Sequence, residues 1–217
     1  MFDFSVRSSE VEWMDDLSRP EAEFARAYGE LKTVNRRLGG IRAFERFLPK
    51  HGLSILDVAA GGCDVGEALM DPSKKQRHRV VSLDLNPRGL KLAERSIPVT
   101  GDAFQLPFAS CSFDAVICSL FFHHLSSFEC VRVLAEMWRT ARRIVIVNDL
   151  HRHRIAHLSI RTLSAVFSRS AMFRNDAPAS VRRAFRPAEL LAIAQQAGVP
   201  ARVERSFPYR LVLVAEK

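Results

Sequence analysis

No stretch of this sequence approaches the ~20 consecutive apolar residues that cross a bilayer, so no integral membrane segment is expected. The opening residues, MFDFSVRSSEVEWMDD, lack a basic start followed by an apolar run, which argues against a secretory leader. Cysteine is scarce and scattered. Cys63, Cys111, Cys118 and Cys130 form no CxxC pair, and a chain of 217 residues builds a core that needs no covalent staples. They read as reduced thiols, which sets the expectation of a cytoplasmic protein. No run of five basic residues occurs and aromatics are not interleaved with the arginines, so a nucleic-acid partner is not expected. Internal repeats and low-complexity segments are also missing.

What is present fits one globular domain with a helical appendage. The hydrophobic fraction of 47% and charged fraction of 26% are ordinary for a packed core and exclude disordered and fibrous classes. A net charge of +8 comes largely from arginine-bearing stretches at 132–154 and 169–186. Solvated helix faces are the simplest reading of these stretches; attraction to phosphates or to an anionic surface is the other. Either a monomer or a homodimer is compatible with this composition.

Short runs rich in Val, Ile and Leu at 54–59, 79–84, 97–101, 113–120 and 143–148 are bounded by turn residues, as suits strands buried on both faces. Helical patterns lie between them at about 64–71, 87–95 and 128–141. Strands alternating with helices imply a parallel sheet. A helical stretch at 153–170, a surface loop at 171–186 and a helix opened by Pro187 and stopped at Gly198 are predicted next. Two strand-like runs, 201–207 and 209–215, flank Pro208 and predict an antiparallel pair at the sheet's end. The first 50 residues show helical patterns around 8–17, 21–38 and 40–48 and no strand, which predicts an α-helical cap (1–50) before the sheet domain (51–217).

The first strand runs into Asp57-Val58-Ala59-Ala60-Gly61-Gly62-Cys63-Asp64-Val65-Gly66, a small-residue turn that lets a ligand lie against backbone N–H groups, although tight packing alone also asks for such a turn. The second strand ends at Asp84, where an α/β nucleoside-binding sheet places an acid on ribose hydroxyls; capping of the helix at 87–95 is the competing role. Gly101-Asp102-Ala103 and Leu106-Pro107-Phe108 follow the third strand. A dinucleotide-binding dehydrogenase would want GxGxxG, which AAGGCDVG does not supply.

The series LDVAAGG, SLDLNP, GDAFQLPF and SFDAVICSLFFHHL, in this order and spacing, strongly resembles the class I S-adenosylmethionine-dependent methyltransferases (type 11/25-like) over about residues 53–150. That resemblance implies an α/β, Rossmann-like, seven-stranded sheet, mostly parallel with an antiparallel C-terminal strand. It also implies S-adenosylmethionine as cofactor, with S-adenosylhomocysteine as product. Carried over by position, it assigns the methionine part of the cofactor to Asp57, Ala59, Ala60 and Gly61, the ribose to Asp84 and the adenine to Leu85, Asp102 and Ala103. Ser119 and Leu120 would approach the sulfonium centre. The family's usual glycines one step after the strand and at the end of the loop are here Ala59 and Cys63. Alanine fits at negative φ, whereas a required positive φ would cost roughly 1 kcal/mol or more.

The helical cap, the His-His after the fourth strand and Asn148-Asp149-Leu150-His151 ending the fifth are similar to bacterial small-molecule methyltransferases of polyketide or quinone pathways, that is, of secondary metabolism. This implies a phenolic or otherwise hydroxylated, fairly apolar small-molecule acceptor and, as the leading reading, an O-methyltransferase. C-methylation of a quinone-like ring, an RNA methyltransferase and a non-catalytic protein that kept the fold are the alternatives. A phenol oxygen must lose its proton, and imidazole, with an ordinary pKa of about 6.5, suits that task. The candidates are His151, then His124, then His123. His151, His153 and His157 with Asp149 are a set that a cation could use, but the acidic partners of a metal-dependent catechol-type enzyme are not evident, so no metal is expected. Trp13, Met14, Phe24, Tyr28, Phe121 and Phe122 would form either an apolar lid or plain core.

Overall fold

The computed structural model describes residues 3–74 and 77–217. Seven strands form one sheet in the order β3-β2-β1-β4-β5-β7-β6. They are β1 (Ser54–Val58), β2 (Arg79–Asp84), β3 (Ile97–Thr100), β4 (Phe113–Ser119), β5 (Ala141–Leu150), β6 (Ala201–Ser206) and β7 (Arg210–Glu216). β1 to β5 pair in parallel, β7 runs antiparallel to β5, and β6 pairs antiparallel with β7, as predicted for the pair flanking Pro208.

Runs without alternation become strands covered on both faces. Leu56, Val58, Val116, Cys118, Val145 and Val147 bury one way, with α5 (Ser127–Thr140) and α8 (Pro187–Gln196) packed over them. Ile55, Val80, Ala115, Ile117 and Ile146 bury the other way, against α2 (Gly40–Glu45) and α3 (Asp64–Leu69). Each such side chain removed from water contributes roughly 1.5–3 kcal/mol, which fixes strand order and register. Because all five parallel strands point one way, β1, β2 and β4 deliver Asp57, Asp84 and Ser119 to a common edge, the place where open α/β sheets bind ligands.

Over that edge lies a helical layer made from the N-terminal segment and from the stretch between β5 and α8: α1 (Glu21–Arg37), α6 (Arg154–Phe167) and α7 (Ala171–Arg183), with a single 3-10 turn at Trp13–Asp15. α1 ends close to its predicted limit, but 8–17 is extended apart from that turn, and the 40–48 pattern is helical only to Glu45. The segment 171–186, predicted as a surface loop, is instead largely a thirteen-residue helix that buries Met172, Phe173, Ala179 and Val181. Pro178 and the weak helix formers Asn175 and Asp176 disguise it; burial and the Asp176 side chain, which accepts from the Trp13 and Met14 N–H groups, outweigh their propensity. The helix predicted over 87–95 forms only as α4 (Pro87–Leu90). Beyond it the Glu67 carboxylate takes the N–H groups of Glu94, Arg95 and Ser96 at 2.9 Å each, ending the helical ladder early.

Candidate functional site

The turn after β1 is held by its neighbours. Ala60 N–H donates to the Leu83 carbonyl at 3.0 Å, and Gly61 N–H donates to Asp84 Oδ2 at 2.7 Å. Asp84 Oδ1 accepts from Asn86 N–H, also at 2.7 Å. α4 lies so close that a Cβ on Gly89 would meet the Gly61 carbonyl oxygen at 2.0 Å, so only glycine fits there. Ala59 and Cys63 both adopt left-handed backbone, at φ 54° and 60°, the strained alternative set out above for a non-glycine residue. Ala59→Gly should therefore stabilise the protein by up to about 1 kcal/mol, raising Tm by about 2–4 °C in thermal denaturation. An unchanged or lowered Tm would mean that the turn carries no such strain.

A cavity of about 360 Å³ opens at this turn and is lined by Asp57, Ala59, Ala60, Gly61, Asp84, Leu85, Asp102, Ala103, Ser119 and Leu120, together with Tyr28, Asn35 and Phe104. All ten residues assigned to the cofactor by resemblance thus share one wall system. Five carboxylates, Asp15, Asp57, Asp64, Asp84 and Asp102, line it and, among the described residues, no lysine or arginine does. In a protein of net charge +8, this acidic lining stands out from its surroundings. Burial pushes the Asp57 carboxyl well above its ordinary range, with Asp64 adding to the effect, and its Oδ2 is buried without a hydrogen-bond partner. Burial likewise raises Asp84. Leu85, 65% exposed, presents an apolar face at the rim. Orphaned carboxylate oxygen for an ammonium group, paired acceptors for ribose hydroxyls and a flat apolar rim fit S-adenosylmethionine.

A second cavity, about 350 Å³, shares Met14, Leu31, Leu120 and His124 with the first. Its other walls are mostly apolar, with Val34, Leu38, Ala156, Ile160, Leu163, Phe173 and Val181 among them. Ser159, Tyr209 and Arg210 also line it, and a polar cluster stands on the side toward the first cavity. His123 is buried, its Nδ1 lies 2.7 Å from Asp149 Oδ1, and its backbone N–H donates to Asp149 Oδ2. His124 Nδ1 lies 2.7 Å from Asp15 Oδ1. The two rings stand 4.2 Å apart, and their Nε2 atoms face one carboxylate, Glu12, at 3.7 and 3.9 Å. With each Nδ1 hydrogen-bonded to an acid, the Nε2 lone pairs are left for exchange. Glu12 accepts from Ser180 Oγ at 2.7 Å, and burial raises its carboxyl to about 7 despite the opposing pull of His124, Ser180 and Arg183. Asp15 lies below its ordinary range because His124 and Arg183 outweigh its burial. Glu12, His123 and His124 place ligand atoms within 4.8 Å of one another, as a divalent cation would need. However, Arg183 Nη1 already stands 3.6 Å from Glu12 Oε1 and supplies positive charge there.

Of the three candidate histidines, His124 lines both cavities and His123 the apolar one. His151 lines neither. Its N–H donates to the Tyr209 carbonyl, and it faces a separate basic cavity with His153, Arg186 and Arg205. Burial, with the Arg205 and Arg186 guanidiniums adding to it, lowers its pKa to about 4, which makes it a weak base. Asp149, grouped with His151, His153 and His157 as a cation set, is taken by His123 instead. Met14, Tyr28 and Phe121 line the first cavity, Phe24 and Phe122 are core, and Trp13 lies under the Arg19 guanidinium. Sequence reasoning missed Glu12, Asp15 and the row Asp176, Ser180, Arg183. Their i, i+4, i+7 spacing was a helical signal inside the segment predicted as a loop.

A family model described as a methyltransferase domain matches residues 56–145. The demethylmenaquinone methyltransferase of Renibacterium salmoninarum is 33% identical over 133 residues, covering 55% of this chain and 54% of that protein. Its counterpart in Deinococcus radiodurans is 33% identical over 93 residues, covering 39% and 37%. The chain therefore spans about half, or less, of the curated relatives it matches. Among solved structures, an S-adenosylmethionine-dependent methyltransferase of Aquifex aeolicus superposes with a TM-score of 0.66 at 15% identity, covering 91% of this chain and 98% of that one. Human N-acetylserotonin methyltransferase, in complex with S-adenosylmethionine, gives 0.70 at 14% identity, covering 99% and 61%. At such identities the likeness is one of fold.

Proposed function

We propose, for a chain that carries a class I S-adenosylmethionine-dependent methyltransferase domain, that it methylates a hydroxylated, largely apolar ring compound held in the second cavity. The observation that carries this reading is the wall the two cavities share, with Leu120 and His124 between an acidic pocket and an apolar one. When bound, S-adenosylmethionine supplies an electrophilic methyl group on a sulfonium. Asp57, Asp84 and Asp102 hold and orient it, and the apolar cavity aligns the acceptor while excluding water; such positioning supplies up to about 7–11 kcal/mol. His124 Nε2 takes the acceptor's hydroxyl proton, Asp15 steadies the resulting imidazolium, and Glu12, with a carboxyl near 7, receives the proton in turn. His123, fixed by Asp149, walls the same cavity and offers Glu12 a second exchange partner.

O-methylation follows from a base beside an acceptor hydroxyl. The demethylmenaquinone methyltransferases among the relatives favour a second reading, in which the same proton removal activates a ring carbon. Incubation with methyl-labelled S-adenosylmethionine and a panel of phenols and quinols, followed by mass spectrometry of the products, separates the two. Transfer to none of the panel, by a protein that binds the cofactor, would remove the acceptor class proposed here. His151→Gln should leave kcat within about twofold, because its cavity is separate, whereas a loss of tenfold or more would restore His151 as the base.

A further inference from the structure

α6 is amphipathic the wrong way round. Its buried face is made of Ala156, His157 and Ser164, while Ile155, Leu158, Leu163, Val166 and Phe167 stand exposed. A helix that serves only its own core buries the large apolar side chains and exposes the small polar ones. On the helix surface Ile155, Leu158 and Val166 share one face with the polar Ser159 and Thr162, and Leu163 and Phe167 lie along its edge beside Ala156. Phe167 is 76% exposed, and Phe207, 87% exposed, lines the apolar cavity together with Leu163 of the stripe.

The charge this segment itself brings to the stripe has one sign, while Glu30 of α1 accepts from Ser168 Oγ and from the Arg169 and Ser170 N–H groups just past the helix end. From His151 to Asn175 the sequence contains five arginines and no acidic residue; Arg152 is buried against Glu189, which leaves Arg154, Arg161, Arg169 and Arg174 at the surface. Arg154 and Arg161 lie along one edge of the stripe, Arg169 follows its last turn, and Arg154 also lines the basic cavity with Arg186 and Arg205. A second copy of the chain, paired two-fold through α6, would bring these guanidiniums together, which disfavours self-association. A protein partner would need an apolar groove rimmed by acids. A bilayer carrying anionic phospholipid offers an apolar interior under a layer of phosphates, which matches both the stripe and its rim. Among the described residues no helix is long and apolar enough to cross a membrane, so the fit is to the surface only.

We infer that the exposed face of α6 and Phe207 form a surface that docks on anionic phospholipid bilayers, with the mouth of the apolar cavity at the contact. An acceptor dissolved in the bilayer would then enter without crossing water. The surface itself is read from exposure and charge and stands independently of the methyl-transfer reading.

The test uses the full chain and sedimentation with vesicles of phosphatidylcholine alone or of phosphatidylcholine with phosphatidylglycerol. Partition onto the anionic vesicles should exceed that onto neutral ones by at least about tenfold and weaken with salt. A Leu158→Asp, Phe167→Asp double variant should lose at least about tenfold of that partition while retaining its Tm and its calorimetric affinity for S-adenosylmethionine. Failure of the wild type to bind anionic vesicles, or equal binding by the double variant, overturns the proposal. So does a concentration-dependent dimer that the double variant abolishes. Loss of cofactor affinity in the wild type would instead count against the proposed activity and leave the surface standing.

Discussion

Asp84→Ala is expected to weaken S-adenosylmethionine binding by about 30- to 1000-fold in calorimetric titration, the equivalent of roughly 2–4 kcal/mol. Two losses combine. The carboxylate would no longer accept the two ribose hydroxyls, and hydrogen bonds to charged groups are each worth roughly 1.5–3 kcal/mol. The Gly61 and Asn86 N–H groups, each 2.7 Å from an Asp84 oxygen, would also lose their acceptor, freeing the turn that shapes the pocket. Asp84→Asn should not rescue binding. With both carboxylate oxygens already facing backbone donors, either amide orientation sets an NH2 group against an N–H. A variant that binds within about threefold of the wild type would move the ribose site elsewhere, and a wild type that does not bind at all would remove the enzyme reading.

The half of this site assigned to the cofactor was legible in the sequence, and the half proposed for the acceptor was not. Strand ends, small-residue turns and strand-terminal acids are local patterns, and a parallel sheet brings them to one edge whatever surrounds it. Asp57, Gly61, Asp84, Asp102 and Ser119 therefore come together across one cavity as the resemblance implied. Glu12 offered no such signal. It gains its role from Ser180, 168 positions away, and from histidines over 100 positions away, through packing that no window of sequence displays. His151 lies apart from both groups. A strand-end position leads to the shared cavity on β1, β2 and β4, but β5 extends to Leu150 beside the antiparallel β7, and the His151 N–H donates to the Tyr209 carbonyl. α7 was hidden by Pro178, and α4 was cut short by a carboxylate reaching in from α3. In both cases a tertiary contact decided what propensity left open.

Glu12→Gln should lower kcat and raise stability at alkaline pH, two effects of opposite sign that a merely structural residue would not produce together. Burial holds the Glu12 carboxyl at about 7, above its ordinary 4.5. A group raised on folding stabilises the protein while protonated, and that contribution is lost as pH climbs through the folded value. Between about pH 5 and pH 8 the wild type should therefore lose on the order of 2–3 kcal/mol that the neutral glutamine does not lose. Comparing ΔG of unfolding at the two pH values isolates this difference from any contact the substitution disturbs. In catalysis the glutamine cannot receive a proton from His124, so kcat should fall by about tenfold or more, and the limb of the kcat profile rising through neutral pH should flatten. His124→Gln, which removes the group facing the acceptor, should cost about 10²–10⁴ in kcat with KM for S-adenosylmethionine little changed. An E12Q enzyme with the wild-type profile would leave His124 passing its proton directly to solvent, and a His124→Gln enzyme of normal kcat would take the base out of this cluster altogether.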